Sequence, residues 1–179
     1  DLPPIDAVGG MVVLRLSTNE PWSLATEAQE DSSGGWFRVS PTSGAAGDNI
    51  AVTVRADKNS VYTDRHFMLN VRTSSLEKSL TVTQLKRNAI IAGVNRYELT
   101  SEAQTLTVEI QANVEYGVEV SAGGAWLAST ETRADPGLAI REHRFTAAAN
   151  TEPQERTAKV LFKDLASDLS DEITVVQAA

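Results

Sequence analysis

The sequence predicts an all-β chain that forms two tandem β-sandwich domains. Polar and apolar residues alternate through most of the 179 residues, as they do in strands that bury one face. Turn residues, chiefly Gly, Pro, Asn and Asp, interrupt the alternation about every 8–12 residues, which is typical of a sandwich. The second half also repeats the first at a distance of about 90 residues, and such self-similarity indicates a tandem duplication.

Alternating segments account for most of the first half. The clearest of them restarts at Ile50, after a turn that carries Pro41, Ser43, Gly44 and Gly47. Proline presets its φ angle and glycine accepts positive φ, so this stretch is typical of strand, turn and strand. In chain order, the predicted strands of the first half are residues 11–17, 22–26, 36–39, 50–56, 65–73 and 80–84.

One segment of the second half departs from this pattern. Leu161, Leu165 and Leu169 recur at helical spacing with aspartates between them. This spacing predicts a single helical turn inside a hairpin loop. Helical spacing is nearly absent elsewhere in the chain.

Matching residues locate the boundary between the two copies. Trp126 follows Gly-Gly as Trp36 does, and the later matches are Asn59 with Asn150, Arg65 with Arg156 and Gln84 with Gln177. One alternating strand ends and another begins near residues 86–89, so we expect domains at 1–87 and 88–179. The same spacing places the counterparts of Ile90 and Ile91 before residue 1. We therefore expect the first copy to lack its opening edge segment and the chain to be part of a longer multi-domain protein.

Composition excludes several classes of function. The net charge of -8 disfavours nucleic-acid binding, which needs a clustered basic surface. The absence of cysteine excludes disulfides, thiolate chemistry and cysteine zinc sites. No run of about 18 apolar residues is present, so we expect no transmembrane segment.

The sequence predicts no enzyme, no cofactor and no metal ion. His66 and His143 are the only imidazoles, and neither belongs to a His-Glu-x-x-His motif or a calcium loop. His66 precedes the inward Phe67 and should face solvent. Glutamates 102, 109, 115 and 119 lie on loops and on the polar faces of strands, where we expect them to be solvated. The acidic loop at 164–172 is the least unfavourable place for a metal ion.

Aromatic residues decide between a structural and a sugar-binding role. Sugar-binding modules use exposed Trp or Tyr rings as flat platforms, whereas small sandwiches bury most of their rings. Trp36 and Trp126 occupy matching places in both copies and Trp22 begins a strand, so we expect all three in the cores. Tyr62, in the polar loop at 59–64, is the ring we expect to be exposed. It is the one candidate carbohydrate-binding residue.

A set of turn and core residues in the first copy resembles the BACON domain family. The residues that carry the likeness are Trp22, Trp36, Pro41, Ser43, Gly44, Gly47, Asn59, Arg65 and Gln84. The second copy is more divergent, with Tyr116 in place of the first Trp and residues 130–138 in place of the Pro-x-Ser-Gly turn. The resemblance covers nearly the whole chain, twice, and implies two tandem immunoglobulin-like β-sandwich domains.

The resemblance also implies a setting and a function. Members of this Bacteroidetes-associated family accompany glycoside hydrolases, proteases and surface lipoproteins, and a carbohydrate-binding role has been inferred from that company. We therefore expect an exported bacterial protein, secreted or at the cell surface, with glycans or other surface proteins as partners. Two hypotheses stay open. One is a non-catalytic spacer or interaction module, and the other is a binding module for glycans or mucin, which would need two coplanar exposed rings or an aromatic ring beside an Asn, Asp or Arg cluster.

Overall fold

The computed structural model describes residues 2–28, 35–129 and 138–179 and shows them as an all-β protein. These ranges contain strands, turns and bends but no helix, so nothing in them resembles a membrane-spanning helix. The chain divides into two compact units, residues 1–87 and 88–179. The all-β prediction is confirmed.

The first unit consists of two antiparallel sheets. Their strand orders are β1-β5-β3 and β4-β2-β6-β7, where the strands are β1 (Gly10–Thr18), β2 (Trp22–Ala28), β3 (Phe37–Ser40), β4 (Ser43–Gly44), β5 (Gly47–Ala56), β6 (Arg65–Arg72) and β7 (Glu77–Gln84). Alternation sends Val52 and Val54 from one sheet and Phe67 and Leu69 from the other into a common core, where all four are completely buried. Ile5, before β1, forms a parallel bridge to Gln84 at the end of β7.

A glycine in the predicted turn allows the close approach of β4 to β2. Gly44 lies opposite Trp22 in the ladder, and a Cβ atom added to it would lie 2.8 Å from the indole nitrogen Nε1. Any side chain there would collide with the ring of Trp22, which is 3% exposed. The turn glycine of the sequence signature is therefore a packing residue.

The second unit is also a sandwich of two sheets. The strand orders are β12-β13-β10-β8 and β11-β14-β15-β9, where the strands are β8 (Ile90–Ala92), β9 (Arg96–Leu99), β10 (Gln104–Ala112), β11 (Tyr116–Ala122), β12 (Leu127–Ser129), β13 (Ala139–Ala147), β14 (Arg156–Asp164) and β15 (Ser170–Gln177). Val108, Phe145, Phe162 and Ile173 from the two sheets meet in one core and are completely buried. All pairings are antiparallel except that of β9 with β15, which is parallel.

The helical turn predicted around Leu165 is wrong. Leu161 lies within β14, and Leu165 is an exposed residue of the β14–β15 loop. Asp164 closes this loop: its backbone N–H donates to Leu169 O at 2.9 Å, and its Oδ1 accepts from Ala166 N at 3.0 Å. Because an aspartate that bonds the backbone two residues on favours a turn over a helix, the leucine spacing did not produce a helix.

Two segments of the chain lie mostly outside the described residues. The first is residues 29–34, between β2 and Gly35. The segment at 130–138, which replaces the turn of the first copy, lies outside them except for Leu138.

Residues 88–179 should fold when they are expressed alone. The second unit encloses a core of its own, so we propose that it is an independent domain. We expect a β-type circular dichroism spectrum and a cooperative thermal melt, although a domain of about 90 residues is only marginally stable. A fragment that stays unfolded, or that gives a helical spectrum, would contradict this division of the chain.

Candidate functional site

A buried glutamine gathers the matching residues of the first unit at one end of the sandwich. Gln84 is completely buried at the end of β7. Its Nε2 donates to the backbone oxygens of Asp6 at 3.0 Å and Asp57 at 2.9 Å, and its Oε1 accepts from Arg65 Nε at 2.8 Å. One side chain thus joins the segment before β1, the end of β5 and the start of β6.

The guanidinium of Arg65 extends this network to the core. Its Nη2 donates to the backbone oxygens of Asp57 at 2.8 Å and Lys58 at 3.1 Å. The guanidinium carbon Cζ lies 4.1 Å from the ring centroid of Trp36. Burial lowers the pKa of Arg65, and the nearby Asp57 carboxylate opposes that shift. Arginine stays charged in proteins, so a cation rests on the indole face.

Asn59 holds the loop at 57–64. It is completely buried. Its Nδ2 donates to Thr63 O at 3.1 Å and Leu85 O at 2.9 Å, and its Oδ1 accepts from Val61 N at 3.1 Å. We call Asn59, Arg65 and Gln84, together with Trp36, the polar clamp of the first unit.

The second unit contains the same polar clamp, built from Asn150, Arg156, Gln177 and Trp126. Arg156 Nε donates to Gln177 Oε1 at 2.9 Å, and its carbon lies 4.6 Å from the Trp126 ring centroid. Gln177 Nε2 lies 3.0–3.3 Å from the backbone oxygens of Ser101, Glu102 and Ala148. Asn150 Nδ2 donates to the backbone oxygens of Gln154 and Ala178, each at 2.8 Å.

The tryptophans differ in burial between the two clamps. The expectation of a core position is confirmed for Trp22 and for Trp36, which is 7% exposed, but Trp126 is only half-buried. Phe37 and Phe67 pack edge-on against Trp36 with ring centroids 5.0 and 5.4 Å away.

Smaller residues explain the partial exposure of Trp126. Leu127 and Ala158 occupy the places that the two phenylalanines have in the first unit. Gly123, at φ +79°, lies so near Ala158 that an added Cβ would be 2.6 Å from the alanine Cβ. The backbone of this turn thus packs directly against Ala158.

A buried tyrosine–histidine pair replaces an apolar contact in the second unit. Tyr116, the counterpart of Trp22, places its hydroxyl 2.6 Å from His143 Nε2, and His143 is 2% exposed. Burial raises the pKa of Tyr116, although Arg141 beside it acts in the opposite direction. Sequence reasoning did not find this pair, but the signal was present, because His143 alternates with Phe145 and stands where the first unit has Val52.

Tyr62, the predicted carbohydrate-binding residue, is half-buried rather than exposed. The guanidinium carbon of Arg87 lies 5.8 Å from its ring centroid, and Arg87 N donates to Val61 O at 2.9 Å. Asp64 Oδ1 accepts from Lys86 N at 2.7 Å, which closes the loop from its other side. The structure therefore places the ring beside an arginine, and Pro153 stands at this position in the second unit.

The other candidate residues take part in internal contacts. His66 is half-buried, with Nδ1 2.9 Å from Thr83 Oγ1. In the acidic loop, Asp171 accepts from Ala92 N at 2.8 Å and Glu172 pairs with Lys159 at 2.6 Å. Across the described ranges, no three His, Asp or Glu side chains are grouped as they would be to hold a metal ion.

A surface cavity of about 420 Å³ lies at the start of β1. Val8 and Met11 line one side and residues 55–58 the other. Because no aromatic ring lines it, the cavity offers no stacking surface to a sugar.

Comparisons with known proteins identify both the fold and the family. The sequence model of BACON, which carries the description "Putative binding domain, N-terminal", matches residues 25–85 and 117–178. The chain matched no curated protein. Two titin structures resemble it, the I-band fragment I67-I69 (TM-score 0.54, 12% identity, 99% of this chain and 64% of that one) and titin A168169 (TM-score 0.51, 9% identity, 99% and 95%). They confirm the immunoglobulin-like sandwich.

A glycoside hydrolase also contains a similar region. It is the Bacteroides ovatus GH5 xyloglucanase in complex with a XXXG heptasaccharide, with a TM-score of 0.43 and 21% identity. The match covers 50% of this chain and 19% of that one. The matched half of the chain thus spans about a fifth of that enzyme's length.

Replacement of Gln84 by Ala should destabilise the first unit. The change removes the acceptor of Arg65 Nε and takes one donor from each of the backbone oxygens of Asp6 and Asp57, which keep Gly9 N and Arg65 Nη2. A buried polar group left unpaired costs about 1–3 kcal/mol. Denaturant unfolding would measure the loss. Thr81→Ala, at an exposed position on the same strand, is the control and should change the free energy of unfolding by less than about 0.5 kcal/mol. Equal effects of the two changes would contradict a structural role for the clamp.

The two clamp tryptophans should differ in their contribution to stability. Trp36→Ala should cost the first unit about 3–5 kcal/mol, the usual range for a buried large aromatic residue. Trp126→Ala should cost the second unit less, because that side chain is only partly buried. Chemical denaturation of each variant checks this order, and a loss below about 1 kcal/mol for Trp36→Ala would show that its ring does not support the core.

Proposed function

The chain belongs to the BACON family, and on that basis we propose that its two units are non-catalytic spacer or interaction modules of an exported bacterial protein. The family description names a binding domain and no reaction. The whole protein's location, secreted or at the cell surface, is part of the same proposal and comes from the family resemblance. Its partners would be other surface proteins or glycans.

The observation that carries the proposal is the use of the signature residues. In both units the matching Trp, Asn, Arg and Gln side chains make contacts inside their own unit, chiefly with backbone oxygens. A binding surface shared by the family would place its distinguishing side chains toward solvent. These residues instead support the ends of strands, which suits a rigid connecting module.

The distribution of aromatic rings supports the same role. All ten aromatic side chains lie in the described residues; six are buried and four, Phe37, Tyr62, Tyr97 and Trp126, are half-buried. Flat sugar platforms need ring faces open to solvent. Each of the ten is at least half-buried, so the chain offers little surface for stacking.

A second candidate function, glycan binding, is favoured by the surroundings of Tyr62. An aromatic face supplies apolar contact for sugar C–H groups, and a guanidinium supplies hydrogen-bond donors for hydroxyls. Tyr62 supplies the aromatic ring from the loop that Asn59 holds in place, and Arg87 supplies the guanidinium beside it. The net charge of -8 disfavours anionic glycans at low salt, so a neutral oligosaccharide is the suitable ligand.

We expect no plant polysaccharide or mucin oligosaccharide to bind with a Kd tighter than about 1 mM. Glycan-array screening followed by calorimetry would measure this. A ligand with a Kd of about 1 μM, lost in Tyr62→Ala but kept in the matched variant Tyr62→Phe, would replace the spacer proposal with the glycan-binding one.

A further inference from the structure

Three arginines share the outward face of the β1-β5-β3 sheet in the first unit. Arg38 and Arg55 lie directly opposite each other in the ladder between β3 and β5. Arg15 extends from β1 on the same side and donates to Asn49 O at 3.4 Å. All three arginines are exposed, and Asp48 is the only acidic residue in the three strands. We call Arg15, Arg38 and Arg55 the arginine face.

The charges of Arg38 and Arg55 are not neutralised within their unit. In the described part of the chain neither side chain makes a hydrogen bond or an ion pair. Like charges directly opposite each other on two strands are destabilising. Met11, which flanks Arg55 on β1, and Val13 add apolar surface, since they are 59% and 40% exposed. The arginine face therefore suits a partner that supplies paired carboxylates and some apolar area.

The matching face of the second unit carries such a pair of carboxylates. Glu109 of β10, which stands where β1 has Arg15, lies directly opposite Glu142 of β13. Both are exposed, and neither side chain makes a hydrogen bond or an ion pair among the residues that the structure describes. Ile140, the neighbouring outward residue of β13, is 60% exposed. We call Glu109 and Glu142 the glutamate pair.

Charge and spacing make the two faces complementary. Side chains directly opposite on antiparallel strands have Cβ atoms about 4.5–5.5 Å apart, so Arg38 and Arg55 share the spacing of the glutamate pair and have the opposite charge. The acidic excess of the chain is also concentrated in the second unit: residues 1–87 contain 10 acidic and 9 basic residues, whereas residues 88–179 contain 14 and 7. Bringing the faces together would replace two like-charge repulsions by attraction.

We propose that the arginine face of one copy of this chain binds the glutamate pair of a second copy. The contact joins two different surfaces, so it is head-to-tail, and such contacts close into rings or extend as filaments. The faces are small, so the association is weak and sensitive to salt. A chain that never self-associates could still serve as a spacer, so failure of this proposal leaves the proposed function intact.

Sedimentation of the complete chain measures the association. We expect the average mass to rise above that of the monomer as the protein concentration increases from about 10 μM to 1 mM. An increase in NaCl from about 0.05 M to 0.5 M should weaken the association at least about tenfold, because the charges on both faces are exposed and therefore screened.

Charge reversal identifies the two surfaces. One variant carries Arg38→Glu with Arg55→Glu, and the other carries Glu109→Arg with Glu142→Arg. Each variant alone should associate at least about tenfold more weakly, since like charges then face each other. An equimolar mixture should recover the association, because each reversed face again meets a face of opposite charge. Both variants keep a like-charge pair at exposed positions, so their thermal melts should match that of the unaltered chain.

The matched control carries Lys78→Glu with Lys163→Glu. These exposed residues lie on β7 and β14, in other sheets, and the control changes the net charge as much as the double arginine variant does. It should associate like the unaltered chain. Four results would overturn the proposal: an unaltered chain that stays monomeric up to about 1 mM, an association that salt does not weaken, a control that weakens it as much as the arginine variant, or a mixture that does not recover it.

Discussion

The hydrogen bonds of a buried glutamine amide are the constraint on which each unit depends. Where the strands leave the sheets, backbone oxygens lie within hydrogen-bond distance of a completely buried glutamine side chain, and a buried group without a partner is costly. Gln84 and Gln177 satisfy these oxygens with Nε2 and orient an arginine with Oε1. The arginine in turn lies on a tryptophan ring. One polar group thereby couples the last strand of a unit to the segment just before β1 or β10, to its central loop and to its core.

Differences between the two units follow from the redistribution of aromatic volume. In the first unit Phe37 and Phe67 stack with centroids 3.7 Å apart and enclose Trp36. In the second unit smaller residues stand at those places, while the core gains a polar contact between Tyr116 and His143. The clamp geometry persists through these changes. The replacement of the first signature Trp by Tyr116 is therefore a change in packing around a retained polar network.

Strands could be predicted from the sequence because alternation is local, and the matching Asn, Arg and Gln were visible as a spacing. The role of these three residues could not be predicted, because their hydrogen bonds go mainly to backbone oxygens. Gln84, for example, donates to the backbone oxygen of Asp6, 78 residues earlier in the chain. No residue identity encodes such a partner. The half-burial of Tyr62 depended likewise on a distant residue, Arg87, whereas the burial of His143 could have been read from its alternation with Phe145. The helical spacing of leucines 161, 165 and 169 predicted a helical turn that does not form, because the hydrogen bonds of Asp164 close a turn there instead.

The parallel pairing of β9 with β15 has a mechanical consequence. Arg96 lies beside Thr174 and Leu99 beside Gln177, so the entry of the chain into β9 and its exit from β15 are at opposite ends of the ladder. Tension applied at Arg96, where the chain enters β9, and at Gln177, where it leaves β15, would pull these strands past each other along their length. The interstrand hydrogen bonds then share the load and must break together, as in shear, instead of opening one after another. The β9–β15 pair should therefore resist such a force better than a pair whose hydrogen bonds open one at a time.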